Sequence, residues 1–529
     1  MLKDGHKHLS GLDEAVMKNI EACKQLSEIT RTSLGPNGMN KMVINHLGKL
    51  FVTNDCHTIM TELEVTHPAA KMLVLAAQSQ QAEVGDGTNL VITLAGELLA
   101  QAQSLLMDGL HTSEVIEGYN KASSLALGML EELVLPGTDK VDVRDKAVVT
   151  ERLKTTIASK QYGFEDVLTP LVAEACISVC PKNAANFNVD NVRISKIAGS
   201  SLYESSVVKG LVVKRDTEGT VKHLKDVKVA VFGQGVEASS TETKGTVLIE
   251  SAEQLEGYSR SEEDKMEAYV KSIYDAGARV VVSGSSISEM ALHFLERYGM
   301  MVIKIVSKFE LRRLCRVIGA ASVVKAVAPR PEELGYVSSI DVEEIGGTRA
   351  IVARQEAGTG VTTVVLRAAT NNMMDDVERA IDDGVNAYKA MCKDARLVAG
   401  AGAPEIEMAS RLAAMARTET GLAQYAIQKY ATSLELVPRI LAENAGTDAT
   451  KLVSELYSAH AKEGGQNIGV DIEAGAVGDQ TASHINDLYT VKHWAMKLAT
   501  DAVVTVLRVD QIIMAKQAGG GGGQDKPYK

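Results

Sequence analysis

The stretch Glu83-Val84-Gly85-Asp86-Gly87-Thr88-Asn89-Leu90 interrupts a long apolar helical pattern with two glycines around one aspartate. Residues 67–82 before the stretch and residues 90–100 after it carry apolar residues at helical spacing. The turn therefore predicts a new helix N-terminus, whose free N–H groups and partial positive charge suit phosphate. Asp86 would repel phosphate directly, but it can act through Mg²⁺, which prefers carboxylate and phosphate oxygens together. The alternative is a plain helix–turn–helix corner with Asp86 as its N-cap, and this stretch alone favours that corner.

The composition is that of a globular protein with several domains. A chain of 529 residues is too long for one core, so two to four domains are expected. Hydrophobic residues make up 45% and charged residues 23%, which is ordinary, while the aromatic content of 4% predicts an aliphatic core. The net charge of −12 argues against a nucleic-acid partner, because such a protein needs a basic face.

The six cysteines are scattered along the chain and do not resemble a disulfide framework. Cys176 and Cys180 have the spacing of two metal ligands on a helix, but no second pair follows at zinc spacing, so buried thiols are favoured. We therefore expect a reducing compartment. The polar start of the chain predicts no signal peptide, and the lack of a long uninterrupted apolar run predicts no transmembrane helix and no membrane partner.

The pattern of the chain changes along its length from helical to mixed to α/β and back. Residues 10–135 and the chain from residue 371 onward show helical spacing. Two helices through residues 86–133 are expected to break near Gly109, and a last long helix is expected over residues 490–514. Residues 265–330 alternate strands with helices, as in a compact α/β domain, and residues 41–53 predict a hairpin. The simplest arrangement is a discontinuous helical domain made from both ends, an inserted α/β domain, and a middle domain formed by two connecting segments.

Other turns and carboxylates are ambiguous by themselves. Glycine-rich loops lie at residues 34–38 and 398–404, but the second lacks the third glycine of a dinucleotide fingerprint, and the sequence has no Walker A motif. Asp55 follows a predicted strand and is by itself most simply a turn residue. The pair Asp382-Asp383 falls on an amphipathic helix, where a solvated face with Arg379 as ion-pair partner is the simplest interpretation.

Taken together, these loops and carboxylates resemble the nucleotide motifs of the group II chaperonins, which are the archaeal thermosome and the eukaryotic cytosolic TRiC/CCT complex. The motifs are highly specific in this order and spacing, and the resemblance covers essentially the whole chain. The segments that carry it are Thr32-Ser33-Leu34-Gly35-Pro36-Asn37-Gly38-Met39, Val52-Thr53-Asn54-Asp55, His67-Pro68-Ala69-Ala70-Lys71-Met72, Gly85-Asp86-Gly87-Thr88-Asn89, Glu378-Arg379-Ala380-Ile381-Asp382-Asp383, the Gly400 loop, Gly469-Val470-Asp471 and the final helix.

The resemblance implies a multidomain α and α/β chaperonin fold. The expected bounds are residues 1–136 and 395–518 for a helical equatorial domain, 137–205 and 358–394 for a small intermediate domain, 206–357 for an inserted α/β apical domain with a helical protrusion near 235–267, and 519–529 for a flexible glycine-rich tail. It also implies ATP hydrolysis coupled to protein folding. The expected partners are paralogous subunits in a hetero-oligomeric double ring and unfolded client proteins of the actin and tubulin class, in the eukaryotic cytosol.

The resemblance also implies roles for individual residues. Asp86 matches the Mg²⁺ ligand, and Asp55 and Asp383 match the two carboxylates that orient and activate the attacking water. The residues that match nucleotide-binding positions are Leu34, Gly35 and Pro36 over the phosphates and base, Gly87, Thr88, Asn89 and Leu90 in the phosphate turn, Ser159 and Lys160 in a nucleotide-sensing turn, and Gly400, Ala401, Gly402 and Asp487 at the sugar and base. ATP or ADP and Mg²⁺ are the expected cofactors.

Five positions depart from the family pattern. Cys56-His57 stands where small residues are usual, Asn89 replaces a threonine, Ala401 replaces a glycine and Leu488 replaces a proline. ATP binding stays the expectation, but the rate of hydrolysis is open. The hypotheses are an ATP-hydrolysing chaperonin subunit, a ring subunit that retains nucleotide with little turnover, and an unrelated α/β enzyme acting on a small metabolite. Retention of the three acidic residues favours the first.

Overall fold

The computed structural model describes residues 7–10, 12–237, 251–324, 327–355 and 360–514. The expected tail lies outside these residues, as do residues 238–250 of the expected protrusion. The elements up to residue 178 are β1 (Lys7–Ser10), α1 (Leu12–Arg31), β2 (Lys41–Ile44), β3 (Leu50–Thr53), α2 (Cys56–Glu62), α3 (Pro68–Glu83), α4 (Thr88–Met107), α5 (Thr112–Glu132), α6 (Lys146–Ala158) and α7 (Glu165–Ser178).

The middle of the chain is rich in strands and the last part is mainly helical. The middle elements are β4 (Val192–Ala198), β5 (Ser206–Val208), β6 (Gly210–Val213), β7 (His223–Phe232), α8 (Ala252–Asp275), β8 (Ala278–Ser283), α9 (Glu289–Arg297), β9 (Met301–Lys304), α10 (Lys308–Ile318), β10 (Ser322–Val323), β11 (Gly335–Ile345), β12 (Thr348–Arg354) and β13 (Thr362–Ala368). The last elements are α11 (Asn371–Lys393), β14 (Leu397–Ala399), α12 (Ala403–Ala416), α13 (Ala423–Leu434), α14 (Leu436–Asn444), α15 (Ala449–His460), β15 (Ile468–Asp471), β16 (Ala476–Asp479), β17 (Asn486–Leu488), α16 (Tyr489–Leu507) and β18 (Gln511–Met514).

The chain forms two compact units, and the first contains residues from both ends of the sequence. It comprises the described parts of Met1–Asp142, Glu151–Glu165 and Asp382–Lys529. The apolar helix α4 lies at its centre, in contact with α1, α3, α13 and α16. Gly96 allows the close approach of α1, because a Cβ there would lie 2.3 Å from Ser27 Oγ. The core around α4 is largely aliphatic, as the low aromatic content predicts.

The second unit comprises Val143–Thr150 and the described parts of Asp166–Ile381. Its main sheet has the strand order β6-β12-β11-β7-β8-β9, and β10 also pairs with β7. Along β7, Val229 and Val231 belong to the apolar cluster that includes α10, while Ala230 and Phe232 belong to the cluster that includes α8 and α9. A strand with apolar residues on both sides is typical of a sheet covered on both faces. A smaller sheet has the order β4-β13-β5.

Most predicted elements are confirmed, but the C-terminal part differs. The hairpin β2–β3 and the break between α4 and α5 agree with the sequence, whereas α2 and β11 were missed. The prediction of one helix over residues 490–514 is wrong, because α16 ends at Leu507 and β18 pairs antiparallel with β1. In β18, Ile512 is buried and Ile513 is exposed, so these two neighbouring isoleucines alternate as in a strand.

Over residues 371–514, the structure has five short strands, β14 to β18, that the helical spacing did not reveal. Each has only three or four residues, too few to establish a period of two. Among the described helices, α4 alone is long and apolar enough to cross a membrane by length and composition. Its contacts within the first unit identify α4 as a core helix.

Candidate functional site

The turn between α3 and α4 depends on both of its glycines. Gly85 and Gly87 have φ of 81° and 78°, in the left-handed region that favours glycine. A Cβ on Gly85 would lie 2.3 Å from Asn386 Cβ, and a Cβ on Gly87 would lie 2.7 Å from Val491 Cγ1. The N-cap of α4 is Gly87, so the alternative that made Asp86 the N-cap is wrong. The turn is held in place both by backbone conformation and by close packing.

The N-terminus of α4 is a buried group of N–H donors. Thr88 and Asn89 are 3% and 8% exposed, and no side chain caps the helix. The first N–H groups of an α-helix have no partner within the helix, and the helix dipole adds positive charge there. This end also has no acidic residue in its first turn. It therefore has the chemistry of an anion-binding site.

Asp86 lies beside this helix end, and Gln80 holds its backbone. The Asp86 carboxylate accepts a hydrogen bond of 2.6 Å from the N–H of Gly87. Gln80 Nε2 donates to the carbonyl oxygens of Asp86 at 2.8 Å and Val491 at 3.2 Å. The surrounding protein raises the pKa of Asp86 mainly by burial, against the lowering effect of Lys160. Gln80 is a supporting residue that sequence reasoning missed, because an isolated glutamine on a helix carries no motif.

Asp55 is the N-cap of α2, and its carboxylate accepts three hydrogen bonds. Thr58 donates through its backbone N–H at 2.9 Å and its hydroxyl at 2.7 Å, and Lys160 Nζ donates at 3.0 Å. Burial by itself would raise the pKa of Asp55, but Lys160 and the Thr58 hydrogen bonds lower it below its usual value. Asp55 is therefore held ionised, and the interpretation as a plain turn residue does not account for its partners.

Asp383 lies on α11 and faces the same ammonium. Its Oδ2 is 3.4 Å from Lys160 Nζ, and the residue is only 4% exposed, while the neighbouring Asp382 is exposed. Arg379 pairs with Asp376 at 3.7 Å, so the predicted solvated face with Arg379 as partner is wrong for Asp383. Burial raises the pKa of Asp383 well above its usual value, although the Lys160 ammonium lowers it.

Lys160 thus links two carboxylates that are far apart in the sequence. Burial would lower the pKa of Lys160, but the carboxylates of Asp55, Asp383 and Asp86 raise it above its usual value. Asn54 Nδ2 donates to the Lys160 carbonyl at 3.1 Å and so fixes the backbone next to Asp55. Ser159, the other residue of the predicted nucleotide-sensing turn, precedes Lys160, and its hydroxyl donates to Thr156 O in the preceding helical turn at 2.7 Å.

The loop at residues 34–36 is joined to the start of α4 by Asn89. Asn89 Nδ2 donates to Thr30 O at 3.2 Å and to Ser33 Oγ at 3.1 Å, directly before Leu34. Within the described part of the chain, Asn89 Oδ1 is buried without a hydrogen-bond partner. Gly35 has φ of 83°, and a Cβ there would lie 2.5 Å from Leu441 Cδ2. Pro36 and Leu90, which were also predicted to contact nucleotide, are both half-buried.

The second glycine loop lies between β14 and α12, next to Asp487. β14 pairs with β17 so that Val398 lies opposite Asp487, and the Gly400 N–H donates to the Ile485 carbonyl at 2.9 Å. Ala401 has φ of 52°, a left-handed conformation that is uncommon for alanine, and its carbonyl accepts from Val470 N at 3.0 Å. Gly402, with φ of 82°, is the N-cap of α12.

The cysteine beside Asp55 is not a nucleophile. Burial raises the pKa of the Cys56 thiol to about 12, the Asp55 carboxylate adds to that increase, and a hydrogen bond with Thr88 opposes it. A buried thiol that remains protonated is inert. The Cys56 side chain instead joins α2 to the start of α4.

The residues fit a magnesium nucleotide better than a metal bound by protein alone. Among the described residues, no group of three or more histidine, cysteine, aspartate or glutamate side chains is placed to hold a metal. Mg²⁺ commonly takes one or two carboxylates and completes its shell with phosphate and water. Asp86 supplies such a carboxylate, and the uncapped, buried start of α4 supplies donors for the phosphate. The arrangement can therefore hold Mg²⁺ together with phosphate.

Comparison with known proteins gives one consistent family. The model of the TCP-1/cpn60 chaperonin family matches residues 26–517. The chain is 58% identical over 521 residues to T-complex protein 1 subunit theta of Arabidopsis thaliana. This match covers 98% of the chain and 95% of the relative. The theta subunits of Dictyostelium discoideum and Homo sapiens are each 52% identical over 98% of this chain and over 96% and 95% of their own lengths. The segments 241–247 and 508–516 likewise resemble a theta subunit in sequence.

Proposed function

Because the chain belongs to the TCP-1/cpn60 chaperonin family, we propose that this ATP-dependent chaperonin subunit itself hydrolyses Mg–ATP at the site formed by Asp55, Asp86, Lys160 and Asp383. Its partners in this proposal are paralogous subunits of a hetero-oligomeric double ring in the cytosol. Its clients are unfolded proteins enclosed by that ring. One observation supports the catalytic part of this proposal. The ammonium of Lys160 lies between the buried carboxylates of Asp55 and Asp383, in the same unit as the N-terminus of α4, which no side chain caps.

The proposal assigns binding to the loops and the metal to Asp86. The N–H groups at residues 87–90 would hold phosphate, and the loop at residues 34–36 would lie over the phosphates and base. The loop at residues 400–402 and Asp487 would contact the sugar and base. Mg²⁺ would be held by Asp86, and it would neutralise charge on the phosphates. Lys160, already next to both carboxylates, would sense whether nucleotide is present.

Asp55 and Asp383 would have different roles toward the attacking water. Asp55 is fixed by three donors and its pKa is lowered, so it remains ionised and accepts a hydrogen bond without taking the proton. Asp383 has one longer contact and a raised pKa, so it is the better proton acceptor. We therefore assign the orientation of the attacking water to Asp55 and general-base assistance to Asp383.

The same proposal explains how hydrolysis is coupled to movement. α11 carries Asp383, and its residues before Asp382 belong to the second unit of the chain. Under the proposed division into equatorial, intermediate and apical domains, α11 belongs to the intermediate segment. A shift of that segment would then move Asp383, which makes hydrolysis conditional on a conformational step.

The test compares Asp383→Asn with Asp382→Asn in the full-length chain, alone and assembled with its paralogous subunits. Asp383→Asn should retain Mg–ATP binding while its hydrolysis rate falls by about 10²–10⁴-fold, the usual contribution of a general base. Asp382→Asn removes an exposed carboxylate from the same helix and should leave the rate unchanged. Calorimetric titration measures binding, and phosphate release measures hydrolysis. Equal rates for Asp383→Asn and the wild type would refute the assignment of Asp383.

A second candidate function is retention of nucleotide with little turnover. Asn89 favours it, because its amide is already engaged by Thr30 and Ser33 while its Oδ1 is buried without a partner in the described residues. A slow wild-type rate, with ADP retained after purification and little loss on Asp383→Asn, would select this alternative.

A further inference from the structure

A second buried lysine lies behind the predicted sugar and base contacts. The Lys492 side chain on α16 is only 6% exposed, and its ammonium donates to Glu405 Oε1 and, at 3.1 Å, to Asp487 Oδ2. Burial would lower the pKa of Lys492, but Glu405 and Asp487 raise it above its usual value. Lys492 is therefore a charged group inside the first unit, held between two carboxylates.

The two carboxylates differ in their surroundings. Glu405 is buried with only 3% of its side chain exposed, whereas 38% of the Asp487 side chain is exposed. The second carboxylate oxygen of Glu405 is buried without a hydrogen-bond partner in the described part of the chain. Glu405 thus anchors the ammonium from inside, and Asp487 presents its carboxylate outward.

Lys492 also connects the elements that carry the two predicted contacts. Glu405 is the third residue of α12, which begins directly after the loop at residues 400–402. Asp487 lies on β17, and α16 begins two residues later. One ammonium therefore fixes the position of the Asp487 carboxylate relative to that loop.

Stability alone does not account for this ion pair. Replacing a buried ion pair by apolar residues of similar volume is often neutral or stabilising, because desolvation offsets much of the attraction. The unpartnered oxygen of Glu405 adds to the cost of burying the pair. The ion pair instead fixes the orientation of the Asp487 carboxylate, because a partly exposed aspartate without Lys492 would be free to rotate among its rotamers.

We propose that Lys492 is a positioning residue for nucleotide recognition, which holds the Asp487 carboxylate where it accepts hydrogen bonds from the ribose hydroxyls. This inference rests on the proposed nucleotide site. A site built to hydrogen-bond a hydroxyl rejects the analogue that lacks it, because its own polar group is then left unpaired. Lys492 should therefore control discrimination between ribose and deoxyribose more than affinity for the phosphates.

The test measures binding of ATP, 2′-deoxy-ATP and 3′-deoxy-ATP to the full-length chain by calorimetric titration with Mg²⁺. The variant is the double substitution Lys492→Met with Glu405→Gln, because Lys492→Met alone leaves an unpaired buried carboxylate that destabilises the fold. The wild type should prefer ATP over at least one deoxy analogue by about tenfold or more, as expected for a hydrogen bond to a charged group. The double variant should lose most of that preference while its affinity for the deoxy analogue is retained.

Two controls separate positioning from general damage. Lys497→Met removes an exposed lysine from the same helix and should keep the preference of the wild type. Asp487→Asn should lose the preference, and adding the double substitution to it should change the preference no further, because both act through one carboxylate. Equal weakening of ATP and its deoxy analogues, or an unchanged preference, overturns the role of Lys492. A wild type without any ribose preference overturns it too, whereas a wild type that binds no ATP refutes the nucleotide site itself.

Discussion

Replacing Lys160 with methionine removes the ammonium that Asp55 and Asp383 share and leaves two buried carboxylates without it. The distances of 3.0 Å and 3.4 Å make this a close ion pair on both sides, and the Lys160 side chain is 13% exposed. Removing one partner of a buried pair typically costs about 3–5 kcal/mol, because the remaining charge is uncompensated. Partial exposure of Lys160 and proton uptake by Asp383 reduce that cost, so we expect about 3 kcal/mol.

The prediction is tested by thermal unfolding of the full-length chain at pH 7 without nucleotide. For a unit of about 300 residues, 3 kcal/mol corresponds to a fall of about 5 °C in Tm. The control Lys71→Met removes an exposed lysine from α3 and should change Tm by less than about 1 °C. Adding Asp383→Asn to Lys160→Met removes one uncompensated charge and should restore part of the loss.

The dependence on pH gives the sharper test of this reasoning. The pKa of Asp55 is lowered in the folded chain, so its contribution to stability is present above its unfolded pKa and is lost as pH falls through the folded value. The difference in Tm between the wild type and Lys160→Met should therefore be largest near neutral pH and should shrink in acid. A difference that is absent at pH 7, or that grows on acidification, would refute the ion-pair argument.

Asp383, Gly87 and Cys56 each give one further prediction. Because burial raises the pKa of Asp383 and a general base acts deprotonated, the hydrolysis rate should fall as pH falls through that raised pKa; a rate that stays constant on acidification contradicts the assignment. Gly87→Ala should weaken Mg–ATP binding about tenfold or more in a calorimetric titration, since it adds both backbone strain and a clash at 2.7 Å. The matched control is Gly109→Ala. Gly109 has φ of 94°, and a Cβ added there would meet open space, so this substitution should leave binding intact. Cys56 should resist iodoacetamide at pH 7.5, while the half-exposed Cys180 is alkylated; comparable labelling of both thiols by mass spectrometry would contradict the burial of Cys56.

Long periodic elements could be predicted from the sequence, and short ones held by distant partners could not. α4 and α5 were predicted with their break because each presents several turns of apolar spacing. β18 was missed because its strand character depends on β1, almost the whole chain away. β14 and β17 were missed for the same reason, although they position the loop at residues 400–402 and Asp487.

In the candidate site, too, local motifs could be predicted from the sequence, whereas contacts between distant residues could not. The motif at residues 85–89 predicted a helix N-terminus, and that N-terminus is present, although Gly87 takes the capping position expected of Asp86. The pairing of Lys160 with Asp55 and Asp383 could not be read from local patterns, since 105 residues separate Lys160 from Asp55. The family resemblance predicts that all three belong to one site, but the unequal pKa shifts of Asp55 and Asp383, on which their proposed roles rest, follow only from the fold.

The distribution of charge at the site also favours one form of ligand. A net charge of −12 does not indicate where the excess lies. In the first unit, the carboxylates of Asp55, Asp86 and Asp383 act on the single ammonium of Lys160, and two further carboxylates share that of Lys492. Carboxylates thus outnumber ammonium groups around both lysines. A bare polyphosphate would add to this negative potential, whereas a nucleotide that arrives with a divalent cation offsets it. Metal and nucleotide should therefore bind as one unit, and the donors of α4 alone should not suffice to hold the phosphates.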